Sequence, residues 1–123
     1  MTFARMGALS GFVGVAAGAF GAHALRGTLE PRMLEIFETA ARYQLMHALA
    51  LVAIGLGHTR LTARLVPVAG WLFVAGTVIF SGSLYALALS GVRAWGMVTP
   101  LGGLCLLAGW LAFAVAARGP AAR

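Results

Sequence analysis

Lysine and aspartate are absent from this chain, cysteine occurs once, and only 10% of its 123 residues are charged. Ordinary soluble domains carry about 25% charged residues, so a monomer dissolved in water is excluded. Without Lys there is no Schiff-base nucleophile, and without Asp most general-base designs disappear. No Gly-rich phosphate loop ending in Lys, no His-Glu-x-x-His, no cysteine pair and no Gly-x-Ser-x-Gly is present. No residue is therefore assigned a catalytic role, and the expectation is a protein that is not an enzyme. Cys105 lies within an apolar run and has no second cysteine to pair with, so it reads as a small buried hydrophobe and leaves the redox compartment open. Nine Arg against three Glu give a formal charge of +6. The arginines punctuate apolar runs and form no continuous basic face. That is the pattern of loops beside an anionic membrane surface, and it argues against nucleic acid.

What the chain has in abundance is apolar sequence, 61% of its residues. The runs predict an all-α fold: an integral membrane four-helix bundle forming one transmembrane domain, residues 1–123. The spans fall at about 6–22, 43–57, 66–90 and 97–117, with an amphipathic interfacial segment, about 31–42, leading into helix 2. A run of some 24 residues crosses a hydrocarbon core of about 30 Å at 1.5 Å per residue. The first run, with Arg5 before it and small residues near Ala22, has the outline of a cleavable signal. It is read here as a retained span because Gly7, Gly11, Gly14, Gly18 and Gly21 recur at intervals of four and three, a stripe along which a neighbouring helix approaches closely. Pro31 suits a first helical position. From Arg32 the 3.6-residue period runs to Ile54 without Gly or Pro, predicting one long helix, although periodicity alone leaves a break near Arg42 open. Trp71, Trp95 and Trp110 lie toward span ends or flanks, where indoles settle at the interface.

Polar chemistry enters the spans in two places. On a helical wheel, Gln44 and His47 share a face with Met33, Phe37, Ala40, Ala48 and Leu51, opposite Glu35, Glu38, Thr39 and Arg42. An unpartnered polar side chain in hydrocarbon costs roughly 2–7 kcal/mol on transfer scales, so both must face protein. The third span carries Phe-Ser-Gly-Ser-Leu-Tyr at 80–85, where Ser81 and Tyr85 share a face and Ser83 points elsewhere, toward its own backbone. With His23 at the end of the first span, the expected polar cluster is His23, Gln44, His47, Ser81 and Tyr85. Its leading reading is structural: imidazoles, amide and hydroxyls bridging helices. Two histidines without a third ligand are weak for a metal, so no cofactor is assigned, with haem or copper as the minor alternative. A lipid-like or quinone ligand recognised by Gln44, His47 and Tyr85 is the other. At the interface, Glu38 and Arg42 form an i, i+4 pair on the polar face, a solvated pair or a head-group contact, and Tyr43 is an interfacial anchor.

With four spans, the termini and the turn at 55–64 share one side with Arg5, Arg60, Arg64, Arg118 and Arg123; the other side carries Arg26, Arg32, Arg42 and Arg93. This small excess puts the termini in the cytoplasm. Gly-Ala-Phe-Gly-Ala-His-Ala-Leu at 18–25, Arg-Tyr-Gln-Leu-Met-His-Ala-Leu-Ala-Leu at 42–51, Phe-Ser-Gly-Ser-Leu-Tyr at 80–85 and Thr-Pro-Leu-Gly-Gly at 99–103 together resemble the family catalogued as domain of unknown function 423. That family comprises small bacterial inner-membrane proteins, with a eukaryotic branch resembling transmembrane protein 256. The resemblance implies a small multi-span protein of the bacterial inner membrane and no particular reaction. Two functions remain: a structural or accessory bundle assembling with itself or with a larger membrane complex, and a binder or transporter of a lipid-like, quinone or haem ligand.

Overall fold

The computed structural model describes residues 2–120; of the arginines discussed above, Arg123 lies outside them. The described chain is all α, in the order α1 (Thr2–His23), α2 (Pro31–Gly57), a 3₁₀ turn at His58–Arg60, α3 (Leu65–Ser90) and α4 (Trp95–Ala116). α1, α3 and α4 are each long and apolar enough to cross a membrane. α2 is diluted by Arg32, Glu35, Glu38 and Arg42 in its first half and by Gln44 and His47 beyond them. It nevertheless runs unbroken through Arg42 for 27 residues, about 40 Å at 1.5 Å per residue. Nothing in its sequence removes a backbone donor after Pro31, which occupies the first turn where its missing N–H costs nothing.

The helices extend past the apolar runs at several ends. α1 begins at Thr2 and α4 at Trp95, because helical hydrogen bonding continues where hydrophobicity stops. α3 ends at Gly91, whose φ of 72° admits the left-handed turn and whose N–H donates to the Leu87 carbonyl.

In space α1 packs on α2, α2 on α3, and α3 on α4. At one end Gly55 of α2 lies against the Ala4 backbone, Gly70 of α3 against the Phe3 ring, and Thr62 donates from its N–H to the Ala116 carbonyl and from its hydroxyl to that of Gly119 (2.6 Å). The start of α1, the turn after α2 and the end of α4 therefore share one end of the molecule. The turn at 24–30 and the turn between α3 and α4 occupy the other.

Two apolar clusters hold the interior. Ala50, Leu51, Ile54, Ala69, Phe73 and Leu106 form one, with Phe3, Tyr43 and Phe80 packed around it. Leu25, Phe37 and Ala88 form the second near the opposite end. The outward faces are also apolar, with Leu9, Phe12, Leu49, Val78, Met97, Leu104 and Leu111 all exposed. A surface of that kind is stable against lipid. Without a hydrophobic drive between helices in lipid, association falls to close packing and polar links.

Close packing comes from glycine, but not from the whole stripe. Gly7, Gly14 and Gly21 are the buried ones. A Cβ at Gly7 would meet the Ala48 carbonyl oxygen at 2.6 Å and the Val52 nitrogen at 2.8 Å; one at Gly21 would meet the Phe37 ring at 2.9 Å. At Gly11 the nearest atom would be an ordinary 3.8 Å away, and at Gly18 nothing lies within 4 Å. The tight seam thus repeats every seven residues, because two crossing helices come closest on one row and leave the flanking row more room. α3 and α4 meet in the same way, with Gly102 against the Phe80 backbone and Gly76 against Leu106.

Candidate functional site

Gln44, at the middle of α2, is buried between α1 and α3. Its Nε2 donates to the Ser10 carbonyl at 3.1 Å and reaches the Ser10 hydroxyl at 3.4 Å, while its Oε1 accepts from the Tyr85 hydroxyl at 2.7 Å. A carbonyl can only accept and the phenol donates here, so the two ends of the amide are told apart by their partners. One side chain of α2 thereby ties α1 to α3. The Tyr85 ring leans edge-on against Phe37 with centroids 5.0 Å apart, which fixes the phenol from its apolar side.

One turn further along α2, His47 is buried on the side toward α4. Its Nδ1 donates to the Tyr43 carbonyl at 2.7 Å, and its Nε2 accepts from the Trp110 indole N–H at 3.0 Å. An indole can only donate and a carbonyl only accept, so these partners select the neutral imidazole carrying its proton on Nδ1. The ring sits among Phe73 (5.6 Å), Trp110 (5.7 Å) and Tyr43 (6.2 Å). Both ring nitrogens are engaged, so a haem iron or copper ion would have to displace one of these bonds. Among the described residues no three His, Cys, Asp or Glu side chains converge.

The serine segment of α3 faces both ways. Buried Ser81 donates to the Ala40 carbonyl of α2 at 2.8 Å. Ser83 bonds back to the Phe80 carbonyl at 3.0 Å, as its wheel position implies, and also pairs with the Thr99 hydroxyl of α4 at 2.6 Å. If Ser83 donates to the carbonyl, Thr99 donates to Ser83, and the chain of donors is complete. Thr77 is the exception, a buried hydroxyl with no partner among the described residues.

The expected cluster is thus divided. Gln44 and Tyr85 are bonded to one another, His47 turns to α4, Ser81 binds α2 backbone, and His23 is exposed at the end of α1 and takes part in none of these bonds. His23 sits where α1 gives way to the turn, whereas Gln44 and His47 lie at mid-helix depth. Among the interfacial residues, Arg42 is exposed and Glu38 half-buried. Tyr43 is half-buried and lies against Phe80 with ring centroids 4.7 Å apart. Sequence reasoning missed Ser10, Thr99 and Trp110. The signal for the first two was available, since a hydroxyl inside a span needs an acceptor. Trp110 gave none: its indole is substantially exposed, as an interfacial Trp would be, yet its N–H reaches His47 and its ring packs on buried Phe73.

Beside His47 an apolar groove of about 580 Å³ runs between α2 and α4 over α3. Tyr43, Met46 and His47 form one wall, Phe80 the floor, and Leu104, Leu107 and Trp110 the other wall.

The family model described as a protein of unknown function (DUF423) matches residues 17–103, a stretch that includes Gln44, His47, Ser81, Ser83, Tyr85 and Thr99 but not Ser10 or Trp110. A UPF0382 membrane protein of Staphylococcus epidermidis is 47% identical over 116 residues, 93% of each chain. The UPF0382 membrane protein YwdK of Bacillus subtilis is 39% identical over 116 residues, 94% of each chain. The UPF0382 inner membrane protein YgdD of Escherichia coli is 43% identical over 110 residues, 89% of this chain and 84% of that one. No solved structure matches the chain.

Proposed function

The chain belongs to the DUF423 family of membrane proteins of unknown function, and on that premise we propose that it is a structural or accessory bundle. In this reading all four helices cross the plasma membrane, the charged start of α2 around Arg32 and Glu35 sits at the interface, and the termini are cytoplasmic. One observation carries it: helices packed on one another are joined by their own side-chain hydrogen bonds. Gln44 with Ser10 joins α1 to α2; Tyr85 with Gln44, and Ser81 with the Ala40 carbonyl, join α2 to α3; Ser83 with Thr99 joins α3 to α4; and Trp110 with His47 joins α2 to α4. A polar group spent on a neighbouring helix holds a shape, whereas one reserved for a ligand is aimed into a cavity. The product is a body with apolar outer faces suited to assembly with a second copy or a larger membrane complex. Affinity purification at native expression, followed by mass measurement of the intact particle, tests this: a homo-oligomer or a stoichiometric membrane partner is expected, and a lone monomer would refute it.

The groove beside His47 favours a second reading, in which a lipid-like or quinone ligand lies between α2 and α4 against Tyr43, His47 and Trp110. His47→Gln preserves hydrogen-bonding capacity and would then leave a folded protein lacking a small molecule that the unsubstituted protein retains through purification. Extraction and mass spectrometry of both samples separate the two readings. A Soret band in the visible spectrum of the unsubstituted protein would identify that molecule as haem.

A further inference from the structure

At the end of the molecule away from the chain termini, a second cavity of about 510 Å³ is lined by Glu30, Arg32, Met33, Ile36, Leu87 and Arg93. Its chemistry is divided. Met33, Ile36 and Leu87 make an apolar floor, while the two guanidiniums and one carboxylate belong to the exposed turns and helix start. The placement follows from local structure. Arg32 is the second residue of α2, directly after Pro31, and no side chain caps that helix start, Glu30 included. Arg93 comes from the turn that Gly91 opens in the left-handed conformation after α3. A helix start and a turn from two separate halves of the chain thus bring a cation each to one cavity at the surface end of the helices.

We propose that this cavity binds the phosphodiester of a glycerophospholipid, the guanidiniums holding the phosphate and the acyl chains leaving over Met33, Ile36 and Leu87. Arginine forks match phosphate oxygens in two-point geometry, and an uncapped helix start adds a favourable dipole. The charge count selects among anions. Two guanidiniums and one carboxylate sum to +1, which complements a phosphodiester monoanion. Inorganic phosphate carries more than one negative charge near neutrality and meets repulsion from Glu30. The apolar floor contributes nothing to a free ion and accommodates the glycerol and first methylenes of a lipid. The space near Arg64, at the other end, has a different lining: among the described residues it is bordered by His58, Thr59, Leu61, Thr62, Ala63 and Pro120, without a carboxylate or a second arginine.

The test is a titration of the detergent-purified protein with phosphatidylglycerol, read by native mass spectrometry, with helix content checked by circular dichroism. The paired variant Arg32→Gln with Arg93→Gln is expected to bind about thirtyfold more weakly. Arg60→Gln with Arg64→Gln, which removes the same charge from the opposite end, is expected to bind as the unsubstituted protein does. Glu30→Gln should tighten binding, and this variant keeps the test open if the arginine pair is needed for folding. Inorganic phosphate at millimolar concentration should not displace the lipid. Equal weakening by both arginine pairs would reduce the effect to overall charge, unchanged binding by the Arg32/Arg93 pair or by Glu30→Gln would remove the site, and displacement by phosphate would reassign it to a free anion. Each of these results overturns the proposal.

Discussion

Single side chains hold the helices together in this protein, and their worth is set by what is left when one is removed. Trp110→Phe keeps much of the ring packing on Phe73 (5.0 Å) and Phe113 (6.0 Å) but deletes the donor that His47 Nε2 accepts. Hydrogen bonds between membrane helices average about 0.6 kcal/mol and reach about 1.7, so denaturant unfolding in detergent should show a loss in that range. Gln44→Leu should cost more, because it orphans the Tyr85 hydroxyl and removes the link to Ser10 together. Thr77→Val supplies the opposite sign. It replaces a buried hydroxyl lacking a partner with a methyl of the same shape, and removing an unsatisfied group is neutral or stabilising by up to about 1 kcal/mol. Destabilisation by Thr77→Val would mean that the hydroxyl has a partner, such as water, in the membrane.

At the scale of elements, the α1–α2 contact depends on where glycine is needed rather than on how many glycines there are. Gly7→Ala forces a methyl against the backbone of α2, which cannot move without the helix. Gly11→Ala adds only an ordinary contact and gains up to about 1 kcal/mol of helix propensity. Overpacking costs typically 1–3 kcal/mol. Unfolding measurements should therefore place Gly7→Ala below the unsubstituted protein and Gly11→Ala at or above it, and equal behaviour would mean that α1 does not cross α2 at this register. Gly18→Leu should be far better tolerated than Gly7→Leu for the same reason. The corresponding site between α3 and α4 is Gly102, where a Cβ would press on the Phe80 backbone, so Gly102→Ala should match Gly7→Ala in direction.

For the whole molecule, the order of packing makes a prediction about sides. Ala4, Gly55, Thr62, Ala116 and Gly119 meet at one end, and Arg93 lies at the other. In a membrane, the start of the chain, the turn at 58–64 and the region after Ala116 must then be reached from the same side. Single cysteines at Thr59, Arg93 and Arg118 in a Cys105→Ala background test this with an impermeant thiol reagent. Thr59 and Arg118 should label together from the cytoplasmic face and Arg93 from the opposite one. Labelling of Thr59 and Arg118 from different sides would break the four-span arrangement.

Composition and periodicity by themselves determined the membrane class, the helical fold and the polar residues that must face protein, since these depend on transfer energies and on a backbone repeat that every residue obeys. One long α2 was the simplest reading of an uninterrupted period with no Gly or Pro, but the period left a break near Arg42 open, and its continuity there is decided only by the fold. Only the tertiary structure decided the partners. A wheel states which way Gln44 and His47 point, but the choice of Ser10 and Tyr85 for one and Trp110 for the other depends on the rotation and crossing of four helices. Those are set by where glycine lets backbones touch. Hence His23, at a helix end, stays apart from groups at mid-helix depth, and one glycine of a regular stripe is critical while its neighbour is free. Hence also the two arginines of the cavity near Glu30, sixty-one residues apart in the chain, meet only once α2 and α3 have packed.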